Sequence, residues 1–259
     1  MSKLTAQMRE VLNSIFELQT LDSFNKKTIQ SLINRGLITN GQLSDEGKIA
    51  VLANMKLSKQ CSELSLELTN LQLNYQTKPE LAALHYFEEL GYVGSMHEGN
   101  FMLTILKALM LDKLEKYNFF QDRKDARVSA LSSQFANNQE HLDEIISSIR
   151  ITNRENFISN IREITYEPLV QEFYPGLSAD VAIIFFDAID LSIFEKIAIK
   201  FAEDPYEYRK GWPDLTIIKD GKIRLIEIKT TDKLHESQLK MIPILRDILP
   251  FEISVCKIN

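Results

Sequence analysis

Two β-rich runs, residues 215–218 and 223–229, flank Lys219-Asp220-Gly221-Lys222, and no other feature constrains the fold of this chain as tightly. Asp-Gly supplies the positive-φ corners of a tight turn, so the runs are expected to pair as an antiparallel hairpin. Upstream of Pro205 apolar residues recur at helical spacing instead. A helix from about His235 to Leu249, bent at Pro243, and a strand over 251–258 follow the hairpin. This order predicts an α/β fold, a mixed sheet flanked by helices.

Side chains alternate faces along a strand, so Glu227 and Lys229 point together while Ile226 and Ile228 take the other face. Asp214 opens the preceding run, and closing the turn brings it beside Glu227 despite the 12 residues between them. Two carboxylates can hold Mg²⁺ through hard oxygen ligands and leave waters for a phosphate oxygen and a nucleophile. Lys229 would then orient water or stabilise charge. Taken singly, Glu-x-Lys equally signals an ion pair on a strand, and Pro213-Asp214 a turn.

The 259 residues carry a net charge of -6, which argues against a generally basic nucleic-acid binder. The distribution is uneven. Residues 1–75 hold 8 basic and 7 acidic side chains, 76–205 hold 12 and 21, and 206–259 hold 10 and 8. The apolar run 181–186 is far shorter than the roughly 18 residues that suggest a membrane span, and the amino terminus has no apolar signal core. A cytoplasmic location is expected, at the nucleoid in a bacterium or in the nucleus of a eukaryote. Cys61 and Cys256 lack zinc or disulfide spacing and read as buried small hydrophobes.

Residues 1–75 are expected to form one unit. Helical spacing from Leu4 to Thr20, a short helix from Thr28 stopped by Gly36, a turn at Asn40-Gly41 and a helix from Asp45 make a winged-helix-like order. Such units bind DNA in some proteins and other proteins elsewhere, and a charge near zero favours neither. Residues 54–76 read as a helical connector. A second unit, 79–259, begins at Pro79, with helices to Leu90 and over 99–116 and a helical insertion over about 117–203.

The ordered set Gly211-Trp212-Pro213-Asp214-Leu215, Ile226-Glu227-Ile228-Lys229, Asp232-Lys233-Leu234 and Gln238 resembles the VRR-NUC (virus-type replication-repair nuclease) domain of the PD-(D/E)xK superfamily. Within it the Fanconi-associated nuclease is most similar, because LHYFEELGYVGSMHEGNFMLTILKALMLDK, from Leu84, also fits. The resemblance implies a restriction-endonuclease-like core with Glu98, Asp214, Glu227 and the Ile228 backbone carbonyl around one or two Mg²⁺ or Mn²⁺ ions. Lys229 becomes the catalytic lysine and Gln238 an auxiliary residue, each with a bland alternative in the residues themselves. Glu98, just before a helix, also suits the helix dipole, and Gln238 also suits a solvent-facing cap.

The implied activity is metal-dependent hydrolysis of phosphodiesters in branched, flapped or damaged DNA, as a 5′ flap endonuclease and 5′-to-3′ exonuclease in repair, by a monomer. A restriction or anti-phage nuclease and a non-catalytic DNA-binding adaptor are the rivals. Ser237 stands where the family type has a lysine for the 5′ phosphate. Arg209, Lys210 and Lys233 are the substitute candidates for gripping DNA phosphates. His97 is expected to be a polar neighbour, not a ligand, and Trp212 a packing residue.

Overall fold

The computed structural model describes residues 4–19, 23–76, 78–230 and 233–259. In the first part, α1 (Ala6–Phe16) and α2 (Lys26–Asn34) are each started by a capping side chain, Thr5 and Asn25. A two-residue pair, β1 (Ile38–Thr39) and β2 (Gln42–Leu43), closes through Asn40 and Gly41, both at positive φ. Ser44 caps α3 (Asp45–Leu52). Met8, Val11, Leu12, Leu32, Ile38, Ala50 and Val51 bury together, so this helix–helix–hairpin–helix unit has a core of its own.

Residues 54–76 differ from the expected helical connector. They form α4 (Leu57–Glu63) and then β3 (Glu67–Leu71), which pairs parallel with a strand more than 180 residues further on. Leu66 and Leu68 alternate too briefly, with Asn70 in place of a third apolar residue, to outweigh the helical spacing around them. Next come α5 (Pro79–Glu89), the short strand β4 (Val93–Ser95) and α6 (Gly99–Tyr117). β4 was not expected either, since the sequence pattern placed only a helix to Leu90 and another over 99–116 there.

The helical stretch holds α7 (Arg123–Val128), α8 (Leu131–Asn137), α9 (Leu142–Ser147), α10 (Arg154–Thr165), α11 (Pro168–Phe173), α12 (Ala179–Ala188) and α13 (Leu191–Glu203). α7, α8, α9, α10 and α12 pack against α6, which is buried on nearly all sides through Phe101, Met102, Ile105, Leu106, Leu109 and Met110. A helix apolar all round belongs in the centre of a core.

β5 (Leu215–Lys219) and β6 (Lys222–Lys229) form the expected antiparallel hairpin, followed by α14 (Glu236–Ile248), with Pro243 inside it, and β7 (Glu252–Ile258). The mixed sheet runs β3-β7-β6-β5-β4. One face packs Leu215, Ile217, Ile226 and Ile228 against Ala83, Leu84 and Phe87 of α5. The other turns Leu225 and Val255 towards the large helical core that includes Leu239, Ile242 and Leu245 of α14. Among the described residues no helix is long and apolar enough to cross a membrane. Cys61 and Cys256 are buried and free, and burial raises both thiols, Cys61 to about 11.

Candidate active site

Alternation along β6 puts Glu227 and Lys229 on the α14 side of the sheet, where both are buried and Lys229 Nζ lies 2.6 Å from Glu227 Oε1. The same oxygen accepts a hydrogen bond from Gln238 Nε2. Gln238 is held in turn by α14, because its Oε1 accepts the His235 amide at 2.8 Å in a capping box. It therefore caps the helix and reaches the site, and it is buried rather than solvent-facing.

Asp214 precedes β5, and its Oδ2 accepts the Ile228 amide at 2.7 Å. An amide and a carbonyl of one strand residue leave by the same edge. The Ile228 carbonyl therefore points along the edge that Asp214 occupies. Burial raises the Asp214 pKa, while the Ile228 amide, the Glu227 carboxyl and Lys229 work against that rise. Burial raises Glu227 well above the ordinary range, Asp214 adds to the effect, and Lys229 opposes it. Glu227 Oε2 is buried without a donor. A buried carboxylate oxygen with no partner is expensive, and a proton or a cation would relieve it.

Glu98 stands immediately before α6 at φ 47, a region strained for a residue with a Cβ, and its side chain makes no capping bond. Its backbone is fixed from two sides. The Glu98 amide reaches the Asp214 carbonyl at 3.4 Å, and Gly99 lies so close to Trp212 that a Cβ there would sit 2.6 Å from the indole. Trp212 is 2% exposed and donates Nε1–H to the Tyr208 carbonyl at 2.9 Å, so its ring packs and has no free face for a base. The Glu98 carboxyl keeps much of its surface open, yet partial burial, Asp214 and Glu80 raise its pKa and Lys229 lowers it.

Glu80, in the first turn of α5, acts on both Asp214 and Glu98, and sequence reasoning missed it. A glutamate after a helix-opening proline reads as a dipole complement, so no signal marked it. His97 has both ring nitrogens engaged, Nδ1 with Ser95 Oγ at 2.8 Å and Nε2 with the Pro175 carbonyl at 3.1 Å.

The proposed phosphate grips are exposed but partly occupied. Arg209 lies over the Tyr206 ring, Lys210 pairs with Glu207 at 3.3 Å, and Lys233 donates to the Ala53 and Asn54 carbonyls at 3.4 Å each. Asp232 lies outside the described residues. The loop before α14 is also held by the fully buried Gln60, whose Oε1 accepts the Leu234 amide at 2.7 Å while its Nε2 donates to the Leu52 carbonyl.

Among the described residues no three His, Cys, Asp or Glu side chains converge as a ready metal cluster. Asp214, Glu227 with its orphaned oxygen and the Ile228 carbonyl edge are all hard oxygen donors, a set that fits Mg²⁺ or Mn²⁺. Glu98 acts on this set through space.

No protein-family model matches the chain, and no curated protein does. Two solved structures of a Pseudomonas nuclease are similar to it: paFAN1 bound to 5′ flap DNA with a gap, with a 2-nucleotide flap (TM-score 0.53) and a 1-nucleotide flap (TM-score 0.54). Identity is 15% in each, and the match covers 100% of this chain and 49% and 50% of those chains. The chain thus spans about half the length of the proteins it matches, and the likeness is one of fold.

Proposed function

We propose that the chain is a divalent-metal-dependent DNA nuclease that hydrolyses phosphodiester bonds. The observation that carries this reading is Glu227 Oε2, a buried carboxylate oxygen left without a donor beside Asp214. Such an atom calls for a proton shared with Asp214 or for a bound cation, and the hard oxygen donors around it suit the cation. Asp214, Glu227 and the Ile228 carbonyl would hold one or two Mg²⁺ or Mn²⁺ ions, with Glu98 as the outer carboxylate. When bound, such an ion neutralises charge on phosphoryl oxygens and acidifies water.

The chain's own groups supply position. Gln238 and Lys229 together fix one Glu227 oxygen, so the other faces a constant direction. Lys229 Nζ lies next to the carboxylates, where it can orient water or stabilise charge on the phosphorus oxygens. The fold likeness to paFAN1, solved with 5′ flap DNA, supports branched or flapped DNA as substrate, with 5′ flap endonuclease and 5′-to-3′ exonuclease activity in repair of damaged DNA. A monomer is the proposed working state.

The test is cleavage of 5′-flap, splayed and blunt duplex DNA with Mg²⁺ or Mn²⁺ against EDTA, alongside Asp214→Ala and Lys229→Ala. Cutting that needs metal and both residues is expected. Cutting that survives EDTA or both substitutions would sink the assignment. No cutting by the wild type would favour a DNA-binding adaptor, and preference for unmodified foreign duplex a restriction or anti-phage role.

A further inference from the structure

We propose that α2 and the β1–β2 hairpin form a surface that docks duplex DNA, with the exposed face of α2 in the major groove. This contact is separate from the candidate active site and does not depend on the chain being a nuclease. Its first support is charge. Residues 23–44 contain Lys26, Lys27 and Arg35 and no aspartate or glutamate, in a chain of net charge -6.

The fold gathers the two lysines on one side of α2 with two amide side chains. At about 100° per residue, Lys26, Lys27, Gln30 and Asn34 fall within roughly 100° of the helix circumference, and Leu32 on the opposite side is 0% exposed in the small core. Lys26 and Lys27 are exposed and make no ion pair among the described residues. Lys48 and Lys59, nearby in sequence, are tied to Asp45 and Glu63. Arg35 is already engaged within the molecule and is not needed.

The two free lysines sit in the first turn, where the helix dipole repels them and an incoming phosphate would relieve the repulsion. Gln30 Nε2 donates to Asn34 Oδ1 at 2.9 Å, which holds the two amides side by side. The Gln30 oxygen and the Asn34 amide group are then left as an acceptor and a donor, the pattern that complements the major-groove edge of adenine. Ile33, 43% exposed on the same face, suits a thymine methyl.

The hairpin is locked to the helix. Ser44 Oγ donates to the Gly36 carbonyl at 2.6 Å, and the Ser44 amide to the Leu37 carbonyl at 3.1 Å. Its exposed tip, Thr39, Asn40 and Gln42, is uncharged and can approach a phosphate backbone without repulsion. A helix about 10–12 Å across fits a major groove about 12 Å wide. A protein partner is disfavoured, because interface cores exclude lysine and rely on aromatic anchors, which this face lacks.

The full chain is tested by anisotropy with blunt duplex DNA in EDTA, comparing wild type with the double variant Lys26→Glu/Lys27→Glu and a charge-matched control, Lys124→Glu/Lys196→Glu. The expected result is saturable wild-type binding, at least tenfold weaker in the Lys26/Lys27 variant, with the slope of log affinity against log salt reduced by roughly 2. The control should bind as wild type. Unchanged affinity and slope, equal loss in the control, or no duplex binding by the wild type would overturn the proposal. Should the glutamate variant not fold by circular dichroism, Lys26→Gln/Lys27→Gln is read the same way. A chain that binds duplex through this face and cuts nothing would fail the nuclease reading alone. One that cuts while the double variant binds normally would fail this proposal alone.

Discussion

Asp214 takes over from the main chain where the β5–β6 ladder stops: beyond the Leu215–Ile226 pair, its Oδ2 accepts the Ile228 amide at 2.7 Å. One carboxylate thus serves the sheet and the candidate site. Asp214→Asn keeps an acceptor and should leave thermal stability near wild type. Its metal-dependent cleavage should fall by about a hundredfold or more, the scale seen when a contact to transition-state charge is lost. Asp214→Ala also orphans the Ile228 amide, at a cost of about 1–3 kcal/mol. Melting curves and cleavage rates of the two variants separate the roles, and equal cleavage by Asp214→Asn and wild type would refute the catalytic one.

Glu227 predicts a pH dependence of defined sign. Burial raises its folded pKa above the unfolded value, so its contribution is fully present below about pH 4.5 and is lost as pH rises through the raised value. In EDTA the wild type should lose melting temperature between pH 5 and pH 8 more steeply than Glu227→Gln. Mn²⁺ should offset that loss. Parallel melting-temperature profiles for the two proteins would count against a raised Glu227.

Lys107 gives the opposite slope. It is buried on α6, donates to the Arg127 carbonyl at 2.7 Å, and burial lowers its pKa to about 8. A depressed lysine makes the folded state bind fewer protons than the unfolded one between about pH 8 and pH 10.5. Stability should therefore rise across that window, on the order of 3 kcal/mol at most. Lys107→Met should abolish the rise. Denaturant titrations at pH 7.5 and pH 10 measure it.

Gln60 ties the loop between Lys229 and Gln238 to α4, and Gln60→Ala would leave the buried Leu234 amide unsatisfied. A loss of about 1–3 kcal/mol is expected. Hydrogen exchange should increase locally at Leu234. Unchanged protection there would mean that the loop is held by its other contacts.

The hairpin that carries Asp214, Glu227 and Lys229 was legible because Asp220-Gly221 and strand alternation are local signals. β3 and β4 were not, since each is only a few residues long and its partner strand lies more than 100 residues away. The same holds for the site. Asp214 and Glu227 follow from hairpin closure, and Gln238 needed the family resemblance. The action of Glu80 on Asp214 and the Gln60–Leu234 clamp depend on contacts that no local pattern encodes.

β7 lies between β3 and β6, although residues 252–258 are the last of these three strands to leave the ribosome. Until they emerge, β6 and β3 have no neighbour on that side, and a nascent sheet in that state exposes two unpaired edges to other chains. Pairing across about 185 residues also makes the final closure slow relative to the local hairpin. The window in which this protein is most prone to aggregate is thus the interval between synthesis of β6 and docking of β7, and a chaperone that shields strand edges would act there.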